Sequence, residues 1–173
     1  MITVKGLLLQ QTADGFHGRP DMSLMASLRG ITQEEASWRP DANTPTAEQL
    51  VRHVAWAKAR YCHEGFGVPM PVADPCVNDD GDADSVPWEF PCGAAWACSI
   101  ATGIGEAVKL LEQSHRVLTA CLEACSEEAL DWPIPTRHGK SAANLFWIMV
   151  MHDVYHAGQI RTRRTACNCP SAR

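Results

Sequence analysis

Four stretches of this chain repeat apolar residues at steps of three and four, and none alternates apolar with polar residues between turn signals. Helices are therefore the only regular structure the pattern supports, and the expected class is all-α. The first stretch starts near Ile2 with Leu7 and Leu8 and meets Gly15-Phe16-His17-Gly18-Arg19-Pro20, where two glycines and a proline predict a break or kink. It resumes with Asp21 as a cap and Met22, Leu24, Met25 and Leu28 as apolar positions, and Gly30 stops it. The second begins at Thr44-Pro45, or at Thr46 with Gln49 in capping-box spacing; its stripe reads Leu50, His53, Val54, Ala57 and Tyr61 before Gly65 and Gly67 end it. The third, expected to be the longest, runs from about Cys98 to Cys125 through Ile104, Val108, Leu111, Leu118 and Leu122. Two prolines in Asp131-Trp132-Pro133-Ile134-Pro135 then forbid a helix. The fourth, capped by Ser141, places Leu145, Ile148, Met149, His152, His156, Gln159 and Arg163 on one face.

A length of 173 residues suits one core, so residues 1–165 are expected to form a single domain and 166–173 a short tail. Hydrophobic residues make up 46%, charged residues 20%, and the net charge is −5, which speaks against disorder and against a basic nucleic-acid binder. The apolar run Leu145 to Met151 falls far short of the roughly 20 residues a membrane-spanning helix needs. Met1-Ile2-Thr3-Val4-Lys5 has no export signal, so a cytoplasmic location with reduced thiols is expected. Among the cysteines, Cys62, Cys98, Cys121 and Cys125 read as small hydrophobes filling space, and Cys167-Asn168-Cys169 lacks zinc-finger spacing. Val68 to Pro91 is rich in proline and aspartate, and no lysine or arginine occurs between Arg60 and Lys109. Such a long acidic connection can cross the height of a bundle and start a parallel neighbour. Its Asp80, Asp82 and Asp84 imitate a calcium loop, but Ser85 and Pro91 occupy the required glycine and glutamate positions.

His152 and His156 lie one helical turn apart, so their imidazoles leave the same face and can converge on one ion. Both continue the inward stripe of the fourth helix, where an unpaired polar group costs about 1–3 kcal/mol. His53 occupies the inward stripe of the second helix and is expected to face them across the core. Three neutral imidazoles with one open position describe a catalytic metal site better than a closed structural one. His115 flanks the third stripe and is the fourth ligand to consider; His63 sits near a helix end, and His17 and His138 lie in glycine-containing connections. No serine or cysteine nucleophile motif and no phosphate-binding glycine loop occurs. Arg161, Arg163 and Arg164 form the only basic concentration, expected to favour a helix C-terminus rather than nucleic acid.

Three segments, Ser37-Trp38-Arg39-Pro40, Thr46-Ala47-Glu48-Gln49-Leu50-Val51-Arg52-His53 and His152-Asp153-Val154-Tyr155-His156-Ala157-Gly158-Gln159-Ile160, give the chain a resemblance to the DinB-like (DinB/YfiT) superfamily. The resemblance implies an up-down-down-up four-helix bundle; the long crossover loop expected between helices 2 and 3, Val68 to Pro91, departs from the family's pattern. It also implies a divalent metal, zinc or nickel, held by His53, His152 and His156, and a homodimer. Relatives of this kind are described as metal-dependent hydrolases or as transferases that use low-molecular-weight thiols. The expected function is thus an enzyme that activates water or such a thiol toward a small-molecule substrate, without nucleic-acid or membrane partners. The alternative is a non-catalytic metal-binding or stress-response protein.

Overall fold

The computed structural model describes residues 2–69, 103–134 and 139–168, and among them all regular structure is helical apart from an isolated bridge between Pro133 and Ser141. Helix α1 spans Val4–Ala13, with the Thr3 side chain accepting the Gly6 amide. The expected break follows as one π turn, Asp14–Gly18, that buries Phe16 and leaves His17 exposed. Glycine suits its last position, because a Cβ on Gly18 would lie 2.6 Å from the Asp14 carboxylate. The chain becomes extended at Arg19, and α2 covers Leu24–Leu28 with Ser23, not Asp21, at its N-cap position.

A short helix, α3, at Gln33–Ser37 was not expected from periodicity, although Thr32 and Glu35 form a complete capping box at its start. Helix α4 runs over Ala47–Phe66. Of the two starts the sequence offered, Thr46 is the one used: its hydroxyl accepts the Gln49 amide at 3.1 Å while Gln49 Oε1 accepts the Thr46 amide at 2.8 Å. Gly67 ends it with φ +67°, a left-handed conformation that favours glycine. Helix α5 is described from Ile104 to Ala124, and a single turn, α6, follows at Glu127–Leu130 under a Ser126 cap. The expected start of the third helix at Cys98 and the acidic segment, with its calcium-like aspartates, lie outside the described residues. Helix α7, Ala142–Cys167, is 26 residues long against 21 for α5, so among the described residues the last helix is the longest.

The four long helices pack in a circuit: α4 against α5 and α7, and α1 against those same two. Inward stripes meet there as the spacing requires. One apolar cluster gathers Phe16, Leu24, Leu50, Val54, Leu111 and Ile160, and a second gathers Leu8, Cys62, Leu118, Leu122, Leu145 and Phe146. A fully buried Leu of this kind contributes about 1.5–3 kcal/mol over its exposed state. The arginines near the end of α7 do more than favour a helix dipole. Arg161 donates to Ser23 O, Arg163 to Pro45 O, and Arg164 to Ser27 O and Arg29 O and to the Glu35 carboxylate, so they fasten α7 to α2, α3 and the approach to α4. No described helix is long and apolar enough to cross a membrane.

Candidate metal centre

Seven residues past Thr46, its N-cap, α4 presents His53 toward α7, whose turn from His152 to His156 faces it. The three rings meet by their Nε2 atoms, with His53 at 3.1 Å from His152 and His156 at 2.9 Å from His152. Their ring centroids lie 4.4–5.1 Å apart with steep interplanar angles, so the nitrogens rather than the ring faces point at a common centre. Among the described residues this is the only group of three or more His, Cys, Asp or Glu side chains close enough to hold a metal ion.

Burial sets the charge state of all three. It pushes the His53 and His156 pKa values down to about 4 and that of His152 to about 2; neighbouring imidazoles add to the effect for His152 and His156, as do Lys58 for His152 and Arg163 for His156. The rings are therefore neutral near pH 7, the form that ligates a metal. Tautomers follow from the surroundings. Gln159 Nε2 donates to the Tyr155 hydroxyl at 2.9 Å, which turns Oε1 toward His156 Nδ1 at 2.8 Å. That ring nitrogen must donate, so His156 Nε2 carries a lone pair.

The meeting of three Nε2 atoms creates a conflict that ordinary hydrogen bonds do not resolve. If His152 carries its proton on Nε2, it can donate well to only one of its two neighbours; if on Nδ1, lone pairs face each other across 2.9 Å. His152 Nδ1 is itself buried without a partner. A single cation accepting a lone pair from each ring removes the conflict. Imidazole nitrogens bound at about 2.0–2.1 Å stand roughly 2.8–3.4 Å apart at octahedral to tetrahedral angles, a range that includes the observed 2.9 and 3.1 Å. The donor set and spacing thus fit one divalent ion. His53 and His152 are partly accessible, while His156 is buried.

The other described histidines stay apart from this group. His115 stacks flat on Phe16 with ring centroids 3.5 Å apart, and its pKa is held down to about 3 by burial, with Lys58 and His17 adding. His63 is exposed and donates from Nδ1 to Val68 O at 2.9 Å. His138 lies outside the described residues. Two side chains the sequence did not single out matter here: Lys58 and Asp153, 0% and 1% exposed, form an ion pair of 2.7 Å between α4 and α7. Asp153 directly follows His152, and Lys58 lies five residues after His53, so the pair holds the same helix interface that the triad uses. Tyr155 is exposed, and its hydroxyl accepts from Gln159 Nε2.

A family model described as the DinB superfamily matches residues 19–160. No curated protein and no solved structure matches the chain.

Proposed function

The chain belongs to the DinB superfamily, and from that premise we propose that it is a metal-dependent enzyme whose His53, His152 and His156 hold one divalent ion, zinc or nickel, with a position left for a nucleophile. The observation that carries this reading is the convergence of three neutral imidazoles on one point at 2.9 and 3.1 Å. When bound, the ion would lower the pKa of water or of a low-molecular-weight thiol toward neutrality, supplying the nucleophile for hydrolysis or for thiol transfer to a small electrophile.

The chain's own residues prepare that step. Burial keeps the imidazoles unprotonated, and Gln159, oriented by Tyr155, fixes the His156 tautomer that offers Nε2. Lys58 and Asp153 hold α4 and α7 in the register that brings His53 opposite His152.

The architecture completing this reading is an up-down-down-up four-helix bundle. Three contacts support it. Lys5, at the start of α1, donates to Glu123 O and Cys125 O at the end of α5; Cys62 and Cys121 share one apolar cluster near the C-terminal ends of α4 and α5; and Gly65 lies against Leu145, near the start of α7. Parallel α4 and α5 require the segment between them to return along the bundle, the role proposed for the acidic crossover. Trp147, Met151 and Tyr155 expose an apolar stripe at steps of four on α7, which supports association with a second copy of the chain.

Metal analysis of protein purified without a histidine tag, followed by thiol titration of the cobalt-loaded form, tests the reading. The expected result is one equivalent of metal, lost in His152→Ala, and for the thiol version a sulfur-to-metal charge-transfer band on adding glutathione. Absence of that band with an open site favours the water version. No bound metal, or a sphere closed by a fourth protein ligand, refutes the enzyme reading; the closed sphere would make the chain a non-catalytic metal-binding module.

A further inference from the structure

The cations carried by α4 and α7 around the triad are not all answered by carboxylates. Lys58 pairs with Asp153, Arg52 with Glu48 and Arg60 with Glu64. Arg163, about two turns beyond His156 on α7, has no carboxylate partner among the described residues. Both of its hydrogen bonds go to neutral backbone oxygens: Nε donates to Pro45 O at 2.7 Å, and Nη1 donates to Gln159 O at 3.2 Å.

Those two bonds fix the guanidinium between the helices that build the site. The bond to Gln159 O folds the side chain back along α7 toward the triad, and Gln159 is the residue whose Oε1 accepts from His156 Nδ1. The bond to Pro45 O, just ahead of the Thr46 cap, carries it across to α4, the helix of His53. Of the five N–H groups of a guanidinium, both on Nη2 and one on Nη1 are left without a partner among the described residues. Arg163 is partly buried, so its charge has lost water without gaining an anion, whereas the neighbouring Arg164 gives its Nη2 to the Glu35 carboxylate. A divalent ion on the three neutral imidazoles would add further positive charge that these groups do not offset.

We propose that Arg163 is a specificity-determining residue: the small molecule brought to the triad carries a carboxylate, which the free Nη groups of Arg163 receive. A planar fork of N–H donors held in one orientation matches the two oxygens of a carboxylate, and the ordering of the side chain has already been met by its own backbone bonds. The proposal rests on the metal-dependent reading above and narrows its substrate class to small carboxylic acids. Arg161, by contrast, donates to Ser23 O ahead of α2, away from the helix of His53, and has no part in this recognition.

Calorimetric titration of the cobalt-loaded full chain with β-mercaptopropionate and with its amide compares a carboxylate with a neutral group of the same shape while the thiol end stays constant. Wild type is expected to bind the acid about tenfold more tightly than the amide, and Arg163→Gln to bind the two within about twofold of each other. Arg163→Lys, which keeps the charge without the fork, should retain part of the preference. Arg161→Gln should behave as wild type. Equal binding of acid and amide by wild type, binding of neither, or a full preference that survives in Arg163→Gln overturns the proposal. If Arg163→Gln does not fold, wild type against Arg163→Lys decides, and an undiminished preference in the lysine variant overturns it. Cobalt content and the charge-transfer band, read on the same samples, keep the two failures apart: a chain that takes up no cobalt fails the enzyme reading, and a loaded chain that shows the band without preferring the acid fails only the assignment of Arg163.

Discussion

Replacing Lys58 with Met separates what a buried ion pair contributes from what its loss leaves behind. Lys58 Nζ and Asp153 Oδ2 stand 2.7 Å apart with essentially no exposure, and Asp153 Oδ1 has no partner at all. At an effective dielectric of about 20 the gross attraction at that distance is about 6 kcal/mol, but withdrawing two charges from water costs several kcal/mol each. The pair should therefore be near break-even, whereas Asp153 left alone should be costly. Lys58→Met is expected to lower unfolding free energy by about 3–5 kcal/mol, a large share of the roughly 5–15 kcal/mol typical of a folded domain. Burial raises the Asp153 pKa above its ordinary value even with Lys58 opposing it, and without Lys58 that rise is unopposed. A raised folded-state pKa means that the unfolded chain releases this proton first. The loss in Lys58→Met should then grow as pH rises above about 4 and shrink in acid. The double variant Lys58→Met/Asp153→Leu, with both charges gone, should return to within about 1 kcal/mol of wild type or exceed it. Urea unfolding of the metal-free protein, followed by far-ultraviolet circular dichroism, reads all three. A Lys58→Met variant as stable as wild type, or a double variant no better than the single, would refute this reasoning.

Gln159→Leu removes the acceptor that fixes the His156 tautomer, and should weaken metal binding about 10- to 100-fold by competition with a chelating dye while leaving one ion per chain. Because burial lowers the folded-state pKa values of His53, His152, His156 and His115, unfolding takes up protons below pH ~6.5. Stability of the metal-free protein is thus full above that point and falls as pH drops toward 4, by up to about 1.4 kcal/mol per pH unit for each histidine; a flat profile in urea titrations between these limits would contradict the burial argument. Thr46→Ala removes the hydroxyl that accepts the Gln49 amide while leaving the Thr46 backbone bond to Gln49 Oε1, and should cost about 1 kcal/mol in the same assay, while Thr46→Ser should restore most of it.

The histidine triad was legible in the sequence because each member sits on an inward stripe. His53 falls between Leu50 and Val54, and His152 and His156 extend Ile148 and Met149, so a helical period alone aims them inward. Lys58 and Asp153 were not legible, since a charge beside an apolar stripe reads as solvated until its opposite is seen on another helix. The gathering of Cys62 and Cys121 into one cluster likewise depends on the register of α4 against α5, which neither helix encodes alone. Helix α3 was missed for a different reason: five residues are too few to show a period, yet the capping box of Thr32 and Glu35 was there to be read. Ser23 displaces Asp21 as the cap of α2 because the π turn delivers the chain further along before the helix restarts. His115 failed to join the triad because the turn that buries Phe16 gives its ring a stacking partner instead.

The central claim is that His53, His152 and His156 share one ion and leave it a position that the protein does not fill. A crystal structure of the untagged, metal-loaded chain, with anomalous data at the metal edge, measures both halves at once. The account predicts one ion per chain, bound by the three Nε2 atoms at about 2.0–2.1 Å and by at least one ligand from solvent. Three rings turned away from a common centre, or a fourth protein ligand completing the sphere, would contradict it.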